Sequence, residues 1–157
     1  MRSNCAQSIV PTHTFETAPR LDVLIVPGGI GYSTETQNVV DFIARVYPSL
    51  RYLFTVCTGS AITARTGILD GRRAATAKAG WARTTASRPQ VDWVPHARWI
   101  VDGNIWSSSG VSAGIDAMYA FVEEIYGEEA AATIAAFSEY ERRKDPRCTS
   151  FADFHGI

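Results

Sequence analysis

Long hydrophobic runs are missing from this chain. No apolar stretch approaches the ~20 residues that a bilayer-spanning helix needs. An excess of basic residues is missing too: Lys and Arg number 15 against 16 Asp and Glu, a formal charge of -1, which gives nucleic acid no electrostatic footprint. The opening Met1-Arg-Ser-Asn-Cys-Ala-Gln7 lacks the apolar centre of a secretion signal. No membrane and no nucleic-acid partner is therefore expected, and the expected location is cytoplasmic. Cysteine is scarce. Cys5, Cys57 and Cys148 are odd in number and widely spaced, which excludes a disulfide framework and a zinc pattern, so no metal is expected. Histidine is as scarce, and His13, His96 and His155 stand in turn-like or terminal sequence that reads as surface. Repeats, linkers and low-complexity segments are absent, and 157 residues suffice for one domain with a core, spanning 1–157.

What is present alternates between strand and helix patterns, the mark of an α/β domain. Ser8-Ile-Val-Pro11 reads as a short strand, and Thr12 to Thr17 as a polar connection carrying a weak second one. Leu21-Asp-Val-Leu-Ile-Val26 is a near-continuous aliphatic run, as in a strand buried on both faces. It ends in Pro27-Gly28-Gly29-Ile30-Gly31, a loop whose amides can face a ligand or simply form a turn. Val39, Val40, Phe42, Ile43 and Val46 predict an amphipathic helix over Gln37 to Val46, stopping before Pro48. A turn at Ile68 to Gly71, a strand at Arg73 to Thr76 and a short helix at Trp81 to Ala86 follow. Ala97–Asp102, Gly103-Asn104 and Ile105–Ser109 form a hairpin signal with a two-residue turn. Ile115, Met118, Phe121, Val122 and Ile125 recur at helical spacing as a core face. Glu128 to Glu141 reads as a second helix with Ile134, Phe137 and Tyr140 on one side, and from Lys144 onward as a loosely packed tail.

The chain's centre of interest is Tyr52-Leu-Phe-Thr-Val-Cys57-Thr-Gly-Ser60. A strand runs into Cys57, and small residues lead at once into a helix-compatible run from Ala61 to Ala64. A nucleophile on a tight strand-to-helix turn is the elbow arrangement, and the helix N-terminus behind it should favour thiolate over thiol. The competing reading is a small buried apolar residue at a strand end. Thr58 is either a donor to the reacting atoms or a helix N-terminal hydroxyl satisfying a local amide. Asp116 reads as a first-turn acid, Lys78 as an exposed cation, and the Glu123-Glu124 and Glu128-Glu129 pairs as solvated helix faces. Trp81, Trp93, Trp99 and Trp106 read as core or dimer contacts.

Five motifs occur in order: Asp22–Gly29, Val56-Cys-Thr-Gly-Ser60, Gly71-Arg-Arg-Ala-Ala-Thr76, Val101-Asp-Gly-Asn104 and Gly110-Val-Ser-Ala-Gly-Ile-Asp116. Together they resemble the ThiJ/PfpI superfamily, within the class I glutamine amidotransferase-like fold, and in particular its isonitrile hydratase-like branch. The resembling part spans about residues 8–126. The resemblance implies a flavodoxin-like three-layer sandwich with a mostly parallel sheet, a homodimer, and Cys57 as a reactive elbow cysteine. It also implies a small-molecule substrate and no cofactor: Cys57 would attack an isonitrile carbon and water would release an N-substituted formamide. Thr58 would help through its N–H and hydroxyl, with the Gly29 and Ile30 amides completing an oxyanion donor set.

Two departures from the family pattern stand out. The family's opening strand, helix and strand, roughly 40–60 residues with an acid that orients the cysteine, has no counterpart before Ser8. The expectation is thus a shortened domain whose Leu21–Val26 strand lacks a neighbour. Peptidase- and amidase-like members place a histidine where this chain reads Thr76-Ala77-Lys78-Ala79. Alternatives to the hydratase are a glyoxalase- or deglycase-like enzyme, a redox-sensing stress protein whose Cys57 is oxidised, and a non-catalytic ligand-binding or dimerisation module.

Overall fold

The computed structural model describes residues 9–29, 36–147 and 149–157. Cys5, Ser8, Ile30, Gly31 and Cys148 lie outside the described residues, and with them the expectations placed there. A four-stranded sheet has the order β1 (Val23–Val26), β2 (Tyr52–Val56), β6 (Ile105–Ser108), β5 (Trp99–Asp102). The first three are parallel, and β5 is antiparallel to β6 as its hairpin partner. Gly103, with φ of 59°, supplies the left-handed turn residue of that hairpin. This is the mostly parallel α/β sheet that the resemblance implied.

Register explains why those runs carry no polar face. Leu24, Leu53 and Ile105 stand abreast, and so do Ile25, Phe54 and Trp106 one step along. Alternate residues of β2 and β6 enter opposite cores, whereas Ile25 of β1 stays half-exposed, so that strand is not buried on both faces as expected. On one face Leu53 and Ile105 pack with Val40 and Ile43 of α1 (Gln37–Val46) and Ile62 of α2 (Gly59–Ala64). On the other, Phe54, Trp99 and Trp106 pack with Ala117 and Phe121 of α4 (Val111–Tyr126). Phe121 meets Tyr52, Phe54 and Trp106 edge-on, at centroid separations of 5.1, 5.7 and 5.3 Å. Helices on both faces of the sheet give the three layers.

Several local expectations are corrected. Ile9 and Val10 are exposed and extend no strand, because nothing among the described residues lies beside them to pair with. Arg73–Thr76 shortens to β3 (Arg73–Ala74), paired in parallel with the unforeseen β4 (Asp92–Trp93). The Ala75 N–H turns instead to the Ser107 hydroxyl at 2.9 Å. Helix α3 (Trp81–Ser87) forms as expected. Helix α5 (Glu128–Phe137) ends earlier than expected and buries Ala131 and Ala135, leaving Ile134 and Phe137 exposed. Helix α4 buries Ala113, Gly114, Asp116, Ala117 and Phe121. Phe121 is in the core as expected, with Met118 and Ile125 packed against it, while Ile115, Met118 and Val122 also line an open groove against Ile134. Small residues face the sheet because the helix lies close to it: a methyl on Gly114 would come within 2.8 Å of Val56 Cγ1.

The C-terminal segment is tied down rather than loose. Arg98 donates its amide to the Pro146 carbonyl at 2.7 Å, and Ala152 of α6 (Phe151–Phe154) is fully buried. Asp116 holds this junction. It is the sixth residue of α4, not a first-turn acid, and it is buried beside the Arg98 guanidinium. Its other oxygen accepts from the Tyr140 hydroxyl at 3.1 Å and the Arg143 amide at 2.9 Å. Burial, and then the bond to Asp116, hold the Tyr140 phenol above its usual range, so it remains a donor.

Candidate active site

Cys57 follows β2 directly and precedes α2 by one residue, so the central strand delivers it to the sheet's C-terminal edge, where open α/β folds place ligands. Its φ is 57°, a left-handed conformation that costs a side-chain-bearing residue roughly 1–2 kcal/mol. Three bonds hold it there. The Cys57 amide donates to the Ser108 carbonyl at 3.1 Å, and the Cys57 carbonyl accepts from the hydroxyls of Ser60 at 2.9 Å and Thr76 at 3.5 Å. The side chain itself is half-buried.

Two glycines make the turn sterically possible. A methyl on Gly28 would stand 2.7 Å from Cys57 Cβ and 3.0 Å from the Thr58 nitrogen. A methyl on Gly59 would overlap the Val26 carbonyl outright and sit 2.9 Å from that of Pro27. Backbone cannot step aside as a side chain can, so Gly59→Ala is expected to cost at least about 2–3 kcal/mol. The measurement is the urea midpoint at constant m, and a change below 0.5 kcal/mol (roughly the noise for a surface site) would contradict this packing.

The Thr58 hydroxyl is committed. It accepts from the Gly29 amide at 2.9 Å and donates to the Gly29 carbonyl at 2.9 Å. This clasp joins the loop after β1 to the elbow. It matches neither of the roles expected of the hydroxyl, because the amide it satisfies lies 29 positions away. It also occupies the Gly29 N–H and so removes Gly29 from the expected donor set, of which the Thr58 N–H meets no acceptor among the described residues and Ile30 lies outside them. No sequence signal marked the clasp, since hydroxyl pairing across that separation leaves no local pattern.

The elbow opens into a cleft of about 640 Å³ lined by Pro27, Gly28, Gly29, Val56, Cys57, Thr58, Ala77, Ala79, Gly80, Arg83 and Val111. That volume suits a small molecule. None of the three histidines lines it; His13, His96 and His155 are exposed, as expected. The glutamate pairs also stay out of it: Glu124, Glu128 and Glu129 are exposed, whereas Glu123 is half-buried and accepts from the Arg142 guanidinium, so it is not the solvated group expected. Trp99 and Trp106 are core residues, Trp93 donates its indole N–H to the Arg88 carbonyl at 3.0 Å, and Trp81 is half-buried. Among the described residues no cluster of three metal-ligating side chains occurs.

Lys78 corrects the expectation of an exposed cation. It is buried, with Nζ 4.9 Å from the centre of the Trp81 ring and 3.5 Å from the Val94 carbonyl, and it does not line the cleft. Burial pushes its pKa down from 10.5 to about 8. Between those values the unfolded chain binds more protons than the folded one, so stability rises with pH there, and below pH 8 the penalty is fully present. Lys78→Met is accordingly expected to stabilise the protein at pH 7 by roughly 2–3 kcal/mol and to flatten that rise. Urea titrations at pH 7 and 9.5 (values chosen to straddle the folded pKa) provide the check.

Comparison with known proteins gives a consistent answer. A sequence model of the DJ-1/PfpI family matches residues 2–124. The chain is 36% identical over 141 residues to isonitrile hydratase of Pseudomonas putida, covering 88% of this chain and 60% of that enzyme. It is 33% identical over 135 residues to the HTH-type transcriptional regulator GbdR of Pseudomonas aeruginosa, covering 85% of this chain but 36% of the regulator. In three dimensions it is similar to the crystal structure of a ThiJ/PfpI family protein from Pseudomonas syringae. There the TM-score is 0.72 at 30% identity, over 94% of this chain and 60% of the other. The chain thus spans about three-fifths, or less, of the curated relatives it matches. No described helix is long and apolar enough to cross a membrane.

Proposed function

The chain belongs to the DJ-1/PfpI family, and on that premise we propose that it is a cysteine-dependent hydratase of a small electrophile, converting an isonitrile to an N-substituted formamide. One observation carries the reading: a non-glycine nucleophile held at φ of 57° on the elbow, half-exposed to a small-molecule cleft. Strain of this kind persists where the surroundings over-determine it, and it gathers at functional sites.

In the proposed reaction the Cys57 sulfur donates a lone pair to the terminal isonitrile carbon, forming the C–S bond, and the same carbon takes up a proton. The product is a thioimidate. Water then adds to that carbon, the C–S bond breaks, sulfur leaves with its electron pair, and the imidic acid tautomerises to the formamide. One isonitrile and one water give one formamide. The Thr58 N–H is the donor for charge developing at the reacting centre, while the Thr58 hydroxyl and Gly29 hold the loop in place. Ile30 completes the donor set carried over from the family, and no cofactor is assigned. The working unit is a single domain of residues 1–157, cytoplasmic and assembled as a homodimer. A glyoxalase- or deglycase-like reaction calls for a histidine or acid beside the sulfur, and among the described residues none lines the cleft.

The test is direct. An alkyl isonitrile incubated with the protein is expected to yield its formamide by proton NMR. Rapid quench is expected to leave the thioimidate mass on the Cys57 peptide. Formamide formation no faster than in protein-free buffer would overturn the reading. The similarity to GbdR supports a second one, in which the same cleft senses a ligand without turnover. A sensor would bind its ligand equally well after Cys57→Ala and release no product.

A further inference from the structure

Val56 and Val111 each belong to two surfaces. Both wall the cleft around Cys57, and both also line a second depression, the open groove of about 460 Å³ along α4. One side of that groove is a single stripe of the helix. Val111, Ile115, Met118 and Val122 recur at the three- and four-residue spacing that stacks side chains along one face. At a rise of about 1.5 Å per residue the stripe runs about 16 Å away from the cleft. Ile134 of α5 stands against its far part.

The groove is apolar throughout. Among the described residues no charged side chain lines it, and its one hydroxyl, that of Tyr119, is hydrogen-bonded to Ser138. Val111, Ile115 and Ile134 stay 73%, 43% and 47% exposed, so this wall is open to a ligand and not packed shut. Solvated apolar surface of this kind gains free energy only from an apolar occupant. Position says which occupant. Val56 is the residue immediately before the nucleophile, so a molecule whose reacting carbon meets the sulfur has its other end within reach of the groove's opening. We propose that the groove is a tail subsite, and that the preferred electrophiles carry an extended alkyl chain that passes Val56 and Val111 and lies along α4. Ile115 and Val122 are then specificity-determining residues. This deepens the hydratase reading and rests on it for the reaction, though not for the binding preference.

The experiment has two arms. In the first, kcat/KM is measured for butyl, hexyl, octyl and decyl isonitriles. It is expected to rise about two- to fourfold per added methylene, the range for a methylene partly or fully removed from water. Ile115→Asp and Val122→Asp are each expected to flatten that slope, and Ile115→Leu to keep it. Ile115 is exposed enough to be replaced without opening the core. In the second arm, the matching N-alkyl formamides, which are unreactive, are titrated against the Cys57→Ala protein by calorimetry. Affinity that climbs with chain length, and stops climbing with Ile115→Asp, supports the inference even if no isonitrile is hydrated, a result that would sink the reaction alone. A flat series in both arms overturns it, as does a slope that survives both aspartates. So does a dimer that Ile115→Asp dissociates while the slope stays unchanged, since the groove would then hold a second copy of the chain.

Discussion

Cys57→Ala is expected to lower isonitrile hydration by at least about a thousandfold while leaving the fold intact. The sulfur supplies the bond that divides the reaction into two steps, and no other nucleophile among the cleft residues, Thr58 included, is free to replace it. Stability should barely change, because alanine keeps the Cβ, the left-handed conformation and all three backbone contacts. Cys57→Gly separates strain from chemistry. Glycine adopts φ of 57° without the steric cost, so this variant should be equally dead yet as stable as the parent, or more stable by up to about 1 kcal/mol. The checks are progress curves for formamide and urea midpoints for the three proteins. Turnover by the alanine variant within tenfold of the parent, roughly the effect of a minor contact, would remove Cys57 from the mechanism.

The second large effect lies away from the cleft. Asp116→Ala is expected to destabilise the protein by about 3–5 kcal/mol, because it strands the buried Arg98 guanidinium, whose Nε already has no partner among the described residues. For a chain of this size that is a fall in Tm on the order of 10 °C. The Tyr140 hydroxyl and the Arg143 amide lose their acceptor at the same moment. Trypsin should therefore cut sooner after Arg142, Arg143 and Lys144, before the rest of the chain is attacked. The double variant Arg98→Met with Asp116→Leu should recover much of the loss, since apolar replacement of a whole buried pair is often neutral or better. If Asp116→Ala melts within 2 °C of the parent (about what 0.5–1 kcal/mol produces), the buried pair is not holding this end of the molecule.

Legibility in the sequence followed the range of the forces involved. Strands β1 and β2, helix α1 and the β5–β6 hairpin could be read from Leu21–Val26, the Val39 to Val46 spacing and Gly103-Asn104, because periodicity and turn chemistry are local. The elbow was readable for the same reason, since strand, cysteine and small residues are contiguous. What failed was decided between distant segments. Asp116 looked like a dipole-favoured acid until Arg98, Tyr140 and Arg143 converged on it. Lys78 looked solvated because its surroundings include the Val94 carbonyl, sixteen positions along, as well as the face of Trp81. The core side of α4 was legible only in part: Phe121, Met118 and Ile125 do pack in the core, but hydrophobic size was taken as the guide to the rest. Contact with the sheet selected Ala113, Gly114 and Ala117, which let the helix approach, and left Ile115 and Val122 in the groove.

The Thr58–Gly29 clasp has a consequence for motion. Strand β2 is flanked by β1 and β6, whereas β1 has β2 alone as a neighbour among the described residues, and Ile25 is half-exposed. Hydrogen exchange should therefore divide the cleft between two cooperative units. Amides of β2 and β6 would exchange only on global opening, and those of β1 through local fraying at far lower free energy. Thr58 belongs to the slow unit and Gly29 to the fast one, so their paired hydrogen bonds act as a latch across that boundary. When the latch lets go, the Gly28–Gly29 loop can swing away while Cys57 stays where the inner strand holds it.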